Sequence, residues 1–138
     1  MNKQEDARMA SRNLPKPTDA ELAILRVLWQ RGASTVRDVT DSLQKERGTG
    51  YTTALKLLQI MNEKGLVHRN ESQRTHVYQA VSPIQTTQKQ LVTDLLERAF
   101  GGSAQQLVMQ ALSSRKSTRT ELAEIKKLIE ELEKKAPQ

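Results

Sequence analysis

The stretch Gly50–Tyr78 reads GYTTALKLLQIMNEKGLVHRNESQRTHVY, and its pattern changes at Gly65. Before that glycine, Tyr51, Ala54, Leu55, Leu58 and Met61 recur at helical spacing and predict one buried face. Thr52, Lys56, Gln59 and Glu63 fall on the opposite face, with Thr53 at its edge near the helix start. Gly65 supplies the stop, because glycine readily takes the positive φ that closes a helix. Beyond it, Leu66-Val67-His68-Arg69 and Thr75-His76-Val77-Tyr78 suit two strands, joined by a polar loop from Asn70 to Arg74. A Thr-rich helix start beside a basic hairpin is the layout of a winged helix-turn-helix, which presents that helix to the major groove of duplex DNA.

Working upstream, Thr18-Asp19-Ala20-Glu21 fits a capping box that opens a first helix. Leu22, Leu25, Leu28 and Trp29 form its expected apolar face, and Gly32 ends it. Ala33-Ser34 is placed as a short strand beside the later hairpin. Thr35 then caps a second helix, with Asp38 near the positive end of its dipole and Val36, Val39 and Leu43 facing inward. Gly48-Thr49-Gly50 makes the turn into the third helix. Residues 1–17 are polar and unpatterned and end in Pro15 and Pro17, so they are expected to form a mobile arm carrying Arg8, Arg12 and Lys16.

Downstream, Ser82-Pro83 marks a boundary, with Pro83 suited to a first helical turn. Leu91, Leu95, Leu96 and Ala99 give the next helix an apolar stripe that ends at Gly101-Gly102. Ser103 to Leu112 forms a shorter helix with Leu107 and Val108. Thr118-Arg119-Thr120-Glu121 opens a third, which carries Leu122, Ile125, Ile129 and Leu132 at coiled-coil-like spacing. So short a segment is marginal by itself. Its stripes therefore call for a second copy of the chain, against the alternative that they fold back on the winged domain. The expected fold is mainly α with a small β-hairpin wing: a winged helix-turn-helix domain over 18–82, followed by a helical dimerisation domain over 83–138.

Composition narrows the function. Lys and Arg number 22 against 16 Asp and Glu, a net charge of +6 that favours a polyanionic partner. Aromatics are only 3% of the chain, too few for the stacking platforms of single-strand binders, which favours duplex DNA. With no cysteine, disulfide scaffolds and thiol chemistry fall away, and His68 and His76 are the only two histidines for a metal. No metal or other cofactor is expected. No apolar run approaches the roughly 20 residues of a membrane span, and the N-terminus lacks a secretory core, so a cytoplasmic location without membrane insertion is expected. No nucleophile elbow, phosphate loop or HExxH is present, so no catalytic residue is assigned and the chain is not expected to be an enzyme.

The candidate DNA-binding residues are Thr35, Tyr51, Thr52, Thr53, Lys56, Arg69 and Arg74. Thr52, Thr53 and Lys56 are placed to meet base edges, where Thr can bond either edge and Lys can approach guanine O6 and N7. The plain alternative is an ordinary solvated helix face. Arg69 and Arg74, at the two ends of the wing loop, suit phosphates, which set register and salt dependence. Thr35 and Tyr51 start the second and third helices and suit phosphate bonds as well, or serve as a cap and a core aromatic. The candidate dimerisation residues are Leu91, Leu95, Leu107, Leu122, Ile125, Ile129 and Leu132.

TDAELAILRVLWQRGASTVRDVTDSL, GYTTALKLLQIMNEKGLVHR and THVYQAVSP together resemble the penicillinase-repressor (BlaI/MecI-type) family of bacterial regulators. The resemblance is close from Thr18 to Pro83 and looser through LLERAFGGSAQQLVMQAL and the last helix. It implies a homodimeric winged-helix repressor that binds palindromic operators and often its own promoter. Family wings often carry Gly-Arg at the tip, where this chain has Gln73-Arg74. The antibiotic-responsive branch is released by cutting an Asn-Phe bond, which implies a membrane sensor protease as a further partner. This chain has no Asn-Phe, and the corresponding place reads Gln110-Ala111. Control by a ligand or partner protein therefore stands beside proteolysis, and a winged module that contacts protein stands as a separate alternative.

Overall fold

The computed structural model describes residues 14–137. Their order is α1 (Asp19–Arg31), α2 (Val36–Arg47), α3 (Tyr51–Lys64), β1 (Val67–Asn70), β2 (Val77–Ala80), α4 (Ile84–Phe100), α5 (Ala104–Ser114) and α6 (Arg119–Lys135). The chain divides within α4 into two compact units that meet between Thr93 and Asp94.

The first unit is a winged helix. Thr18 and Thr35 each accept a hydrogen bond from the backbone N–H three residues on, while Glu21 and Asp38 return one, so both expected capping boxes form. Such caps satisfy N–H groups that the first helical turn leaves without partners. Helix α1 packs on α2, α3 and β2, and α3 packs on α2 and β1. Between them lie Ile24, Leu25, Leu28, Val39, Leu43, Ala54, Leu58, Met61, Val67 and Tyr78, all at most 3% exposed. Each large apolar side chain so buried contributes about 1.5–3 kcal/mol. The face of α1 is wider than its Leu spacing predicts, because Ile24 and Val27 are buried while Leu22 and Trp29 are only half-buried.

Gly65 adopts φ 85°, and its N–H caps the last turn of α3, as expected of a helix stop. The strands pair antiparallel with Val67 opposite Ala80 and Arg69 opposite Tyr78. They lie slightly later than the sequence suggests. The loop consequently includes His76, so the two histidines do not sit on facing strands. Ser34 bridges Tyr78 through both backbone groups, at 2.9 and 2.8 Å, an isolated β-bridge in place of the expected short strand. Trp29 Nε1 donates to the Ser82 carbonyl at 3.0 Å, pinning the chain where it leaves the wing.

Two expectations shift at the edges of this unit. Helix α4 starts just after Pro83, but the compact unit continues to Thr93, for Thr87 is buried at 7% exposure. Of the expected arm, residues 1–13 lie outside the described residues. The rest is held down: Pro17 is buried, and the Leu14 carbonyl accepts from Gln90 Nε2 at 2.9 Å.

The second unit contains the end of α4, α5 and α6. Ser103 caps α5, and Thr118 with Glu121 forms the capping box of α6. Among its described residues none is buried. Leu95, Val108, Met109, Leu112, Leu122, Leu128, Ile129 and Leu132 are all more than a third exposed.

Candidate DNA interface

Helix α3 presents the polar face read from its sequence. Ala54, Leu58 and Met61 are fully buried, and Thr52, Thr53, Lys56, Gln59 and Glu63 are exposed. Tyr51 departs from the expected core face. It is 44% exposed, and the Arg37 guanidinium lies over its ring at 5.2 Å from the centroid. The cause is position: Tyr51 is the first residue of the helix, beyond the reach of the core that α1 and α2 enclose. Gly50 caps α3 without a side chain, so no side-chain oxygen occupies the N–H groups of its first turn.

Thr35 is held by its cap. Its oxygen accepts from Asp38 N–H at 3.1 Å, and its own N–H donates to the Asp38 carboxylate at 3.1 Å. The hydroxyl proton is not used by either bond but faces the Asp38 carboxylate, so a phosphate here competes with Asp38 for it. Asp38 is held below the usual carboxyl range, first by the Thr35 backbone N–H and then by its side chain, with Arg31 at 3.5 Å adding to this.

The wing arginines differ. Arg74 is exposed in the loop between the strands. Arg69 is on β1 itself, pairs with Glu71 and lies against Tyr78. A hydrogen bond with Tyr78, then the Glu71 charge, raises its pKa above the ordinary guanidinium value, and its Nε is buried without a partner. The Glu71 carboxylate competes with a phosphate for the Arg69 guanidinium. Its position at the strand end carries no sign of that partner in the sequence. Among the described residues no group of three metal-ligating side chains converges, and no helix is long and apolar enough to cross a membrane.

Beneath this surface lies an ion pair with no counterpart in the sequence reading. Lys64, the last residue of α3, donates to both Glu21 carboxylate oxygens at 2.9 and 3.0 Å. Glu21 is 2% exposed, so the pair fastens the end of α3 to the start of α1.

The candidate dimerisation residues stand on α4, α5 and α6. Leu91, Leu107 and Ile125 are half-buried, and Leu95, Leu122, Ile129 and Leu132 are 43–57% exposed.

Three helices, a bridged hairpin and a polar, solvent-facing α3 define a winged-helix protein. Comparison with known proteins agrees, since the penicillinase repressor family model matches residues 17–131. The chain belongs to the penicillinase repressor family. It is similar to the transcriptional regulator BlaI of Mycobacterium tuberculosis, with 32% identity over 92 residues, 66% of this chain and 67% of that one. The penicillinase repressor of Bacillus licheniformis is 22% identical over 120 residues, covering 87% and 94% of the two chains. Among solved structures, the Bacillus licheniformis BlaI monomeric form in complex with the blaP half-operator matches with a TM-score of 0.47 and 23% identity. That match covers 53% of this chain and 89% of the other.

Proposed function

We propose that the protein is a homodimeric transcriptional repressor that binds a pseudo-palindromic operator in double-stranded DNA. The observation that carries this is the exposed row of Thr52, Thr53 and Lys56 on α3, set beside a hairpin bearing Arg69 and Arg74, in a member of a repressor family. In each subunit α3 enters the major groove, with Thr52, Thr53 and Lys56 at base edges. Thr35, Tyr51, Arg69 and Arg74 hold the phosphates.

The dimer is supported by the second unit, where none of the described residues is buried and leucine and isoleucine side chains face solvent. Pairing of α4, α5 and α6 through Leu91, Leu95, Leu107, Leu122, Ile125, Ile129 and Leu132 would cover them. It would also link two weak half-site interactions into one strong one. Half-sites one helical turn apart, or a multiple of it, follow from that geometry. Parting the C-terminal helices releases the operator, by cleavage through a membrane sensor protease or by a ligand or partner protein. Binding at its own promoter makes the repressor autoregulatory.

The test is footprinting on a duplex carrying the upstream promoter region across a salt series. A symmetric protected patch whose affinity falls with salt is expected. Absence of protection on any duplex at low salt would refute the DNA reading.

A further inference from the structure

Arg37 stands in the first turn of α2, where the helix dipole disfavours a cation. Asp41 lies four residues on, at the spacing of a helical ion pair, yet no carboxylate among the described residues pairs with Arg37. The guanidinium instead lies over the exposed ring of Tyr51, 5.2 Å from its centroid. A cation–π contact engages only part of the guanidinium and leaves other N–H donors for an anion. Thr35 and Thr52 flank the two residues in sequence, so this cation sits among the groups assigned to DNA.

We propose that Arg37, supported by Tyr51, is a backbone-phosphate clamp that joins α2 to α3 and sets how α3 lies in the groove. The inference rests on the duplex-DNA reading above and adds a residue to it. A phosphate against the guanidinium forms charge-assisted bonds and offsets the unfavourable dipole, so an arrangement costly in the free protein becomes favourable in the complex. Bonds to phosphate carry no sequence information, so the clamp strengthens binding to all duplexes alike. Lysine would keep the charge but not the fork of donors.

The test uses full-length protein, the upstream promoter duplex and a random duplex of equal length, each titrated across a salt series. Arg37→Ala should weaken both by a similar factor, about three- to tenfold at low salt, and flatten the slope of log K against log salt by about 0.9. Arg37→Lys should recover the slope but only part of the affinity. Tyr51→Leu should weaken binding, and Arg37→Ala should cost less on that background than on the wild type, because the two side chains act together. Arg37→Ala with an unchanged melting profile, affinity and slope overturns the clamp, while salt-dependent binding by wild type keeps the repressor reading. A loss confined to the promoter duplex also overturns it and makes Arg37 a base reader. Wild-type protein that binds neither duplex with salt dependence removes the DNA reading itself.

Discussion

Removing the Lys64 ammonium tests what fixes α3 in place. Breaking a buried ion pair from one side costs about 3–5 kcal/mol, chiefly because the surviving charge is left without compensation. Glu21 is 2% exposed, but the Lys64 side chain is 38% exposed, so water screens the pair and about 2 kcal/mol is expected for Lys64→Met. Glu21→Gln should cost less, about 1 kcal/mol. Its amide oxygen still accepts from Thr18 N–H, and the ammonium left behind can turn to solvent. The double variant should resemble Glu21→Gln, giving a coupling of about 2 kcal/mol.

The pair also has a pH signature. Burial raises the Glu21 pKa, but the Thr18 backbone N–H and Lys64 outweigh it and hold the carboxyl below its ordinary value of 4.5. A value depressed by folding adds stability above the unfolded pKa, and that stability is lost as pH falls through the folded value. Urea unfolding followed by circular dichroism, at pH 7 and then stepwise below pH 4.5, reads both effects. The gap between wild type and Lys64→Met should close on acidification. Additive single variants at pH 7, or a gap independent of pH, would refute the argument.

Three further outcomes follow from other parts of the molecule. Thr53→Ala and Lys56→Ala should each narrow the difference in affinity between operator and random duplex by about 1–3 kcal/mol, the worth of a correct bond to a base edge, measured by competition binding. Equal weakening on both duplexes would move those residues to the backbone. Ile129→Lys should shift the sedimentation profile towards monomer, whereas an unchanged profile would place the dimer interface elsewhere. Gly65→Ala should lower stability by about 1–2 kcal/mol. Its φ is 85° and nothing lies within 4 Å of the added methyl, so the cost is one of backbone strain alone. An unchanged urea midpoint would show that the helix end relaxes instead.

Local signals are the legible ones in this sequence. Both capping boxes of the winged unit, the Gly65 stop and the polar row on α3 depend on residues a few positions apart, and all form. Signals that depend on distant partners are hidden. Glu21 and Lys64 are 43 residues apart, and each has a sufficient local explanation, one as a cap and the other as a basic last turn. Periodicity places Tyr51 in the core because it cannot tell how far the core extends towards a helix end. Ile24 and Val27 escape notice because the Leu spacing on α1 already satisfies a helical stripe, whereas a helix flanked by two helices and a strand buries a broader arc. The hairpin itself is legible, but its second strand starts later than the pattern suggests, since His76 and Thr75 resemble strand residues and the loop lacks a glycine to mark its turn.

The root of the hairpin has a consequence for how such a protein can change over generations. Tyr78 is 1% exposed and tied to Ser34 by both backbone groups, while residues 71–76 beyond it are all exposed. Length and sequence in that tip can drift without disturbing the packing that keeps α3 in place. Under the proposed mode of DNA binding, selection can thus vary the grip on flanking phosphates independently of the side chains on α3 that would read the site. Duplicated copies of such a gene could diverge in the tip of the wing first, in strength of binding rather than in choice of target.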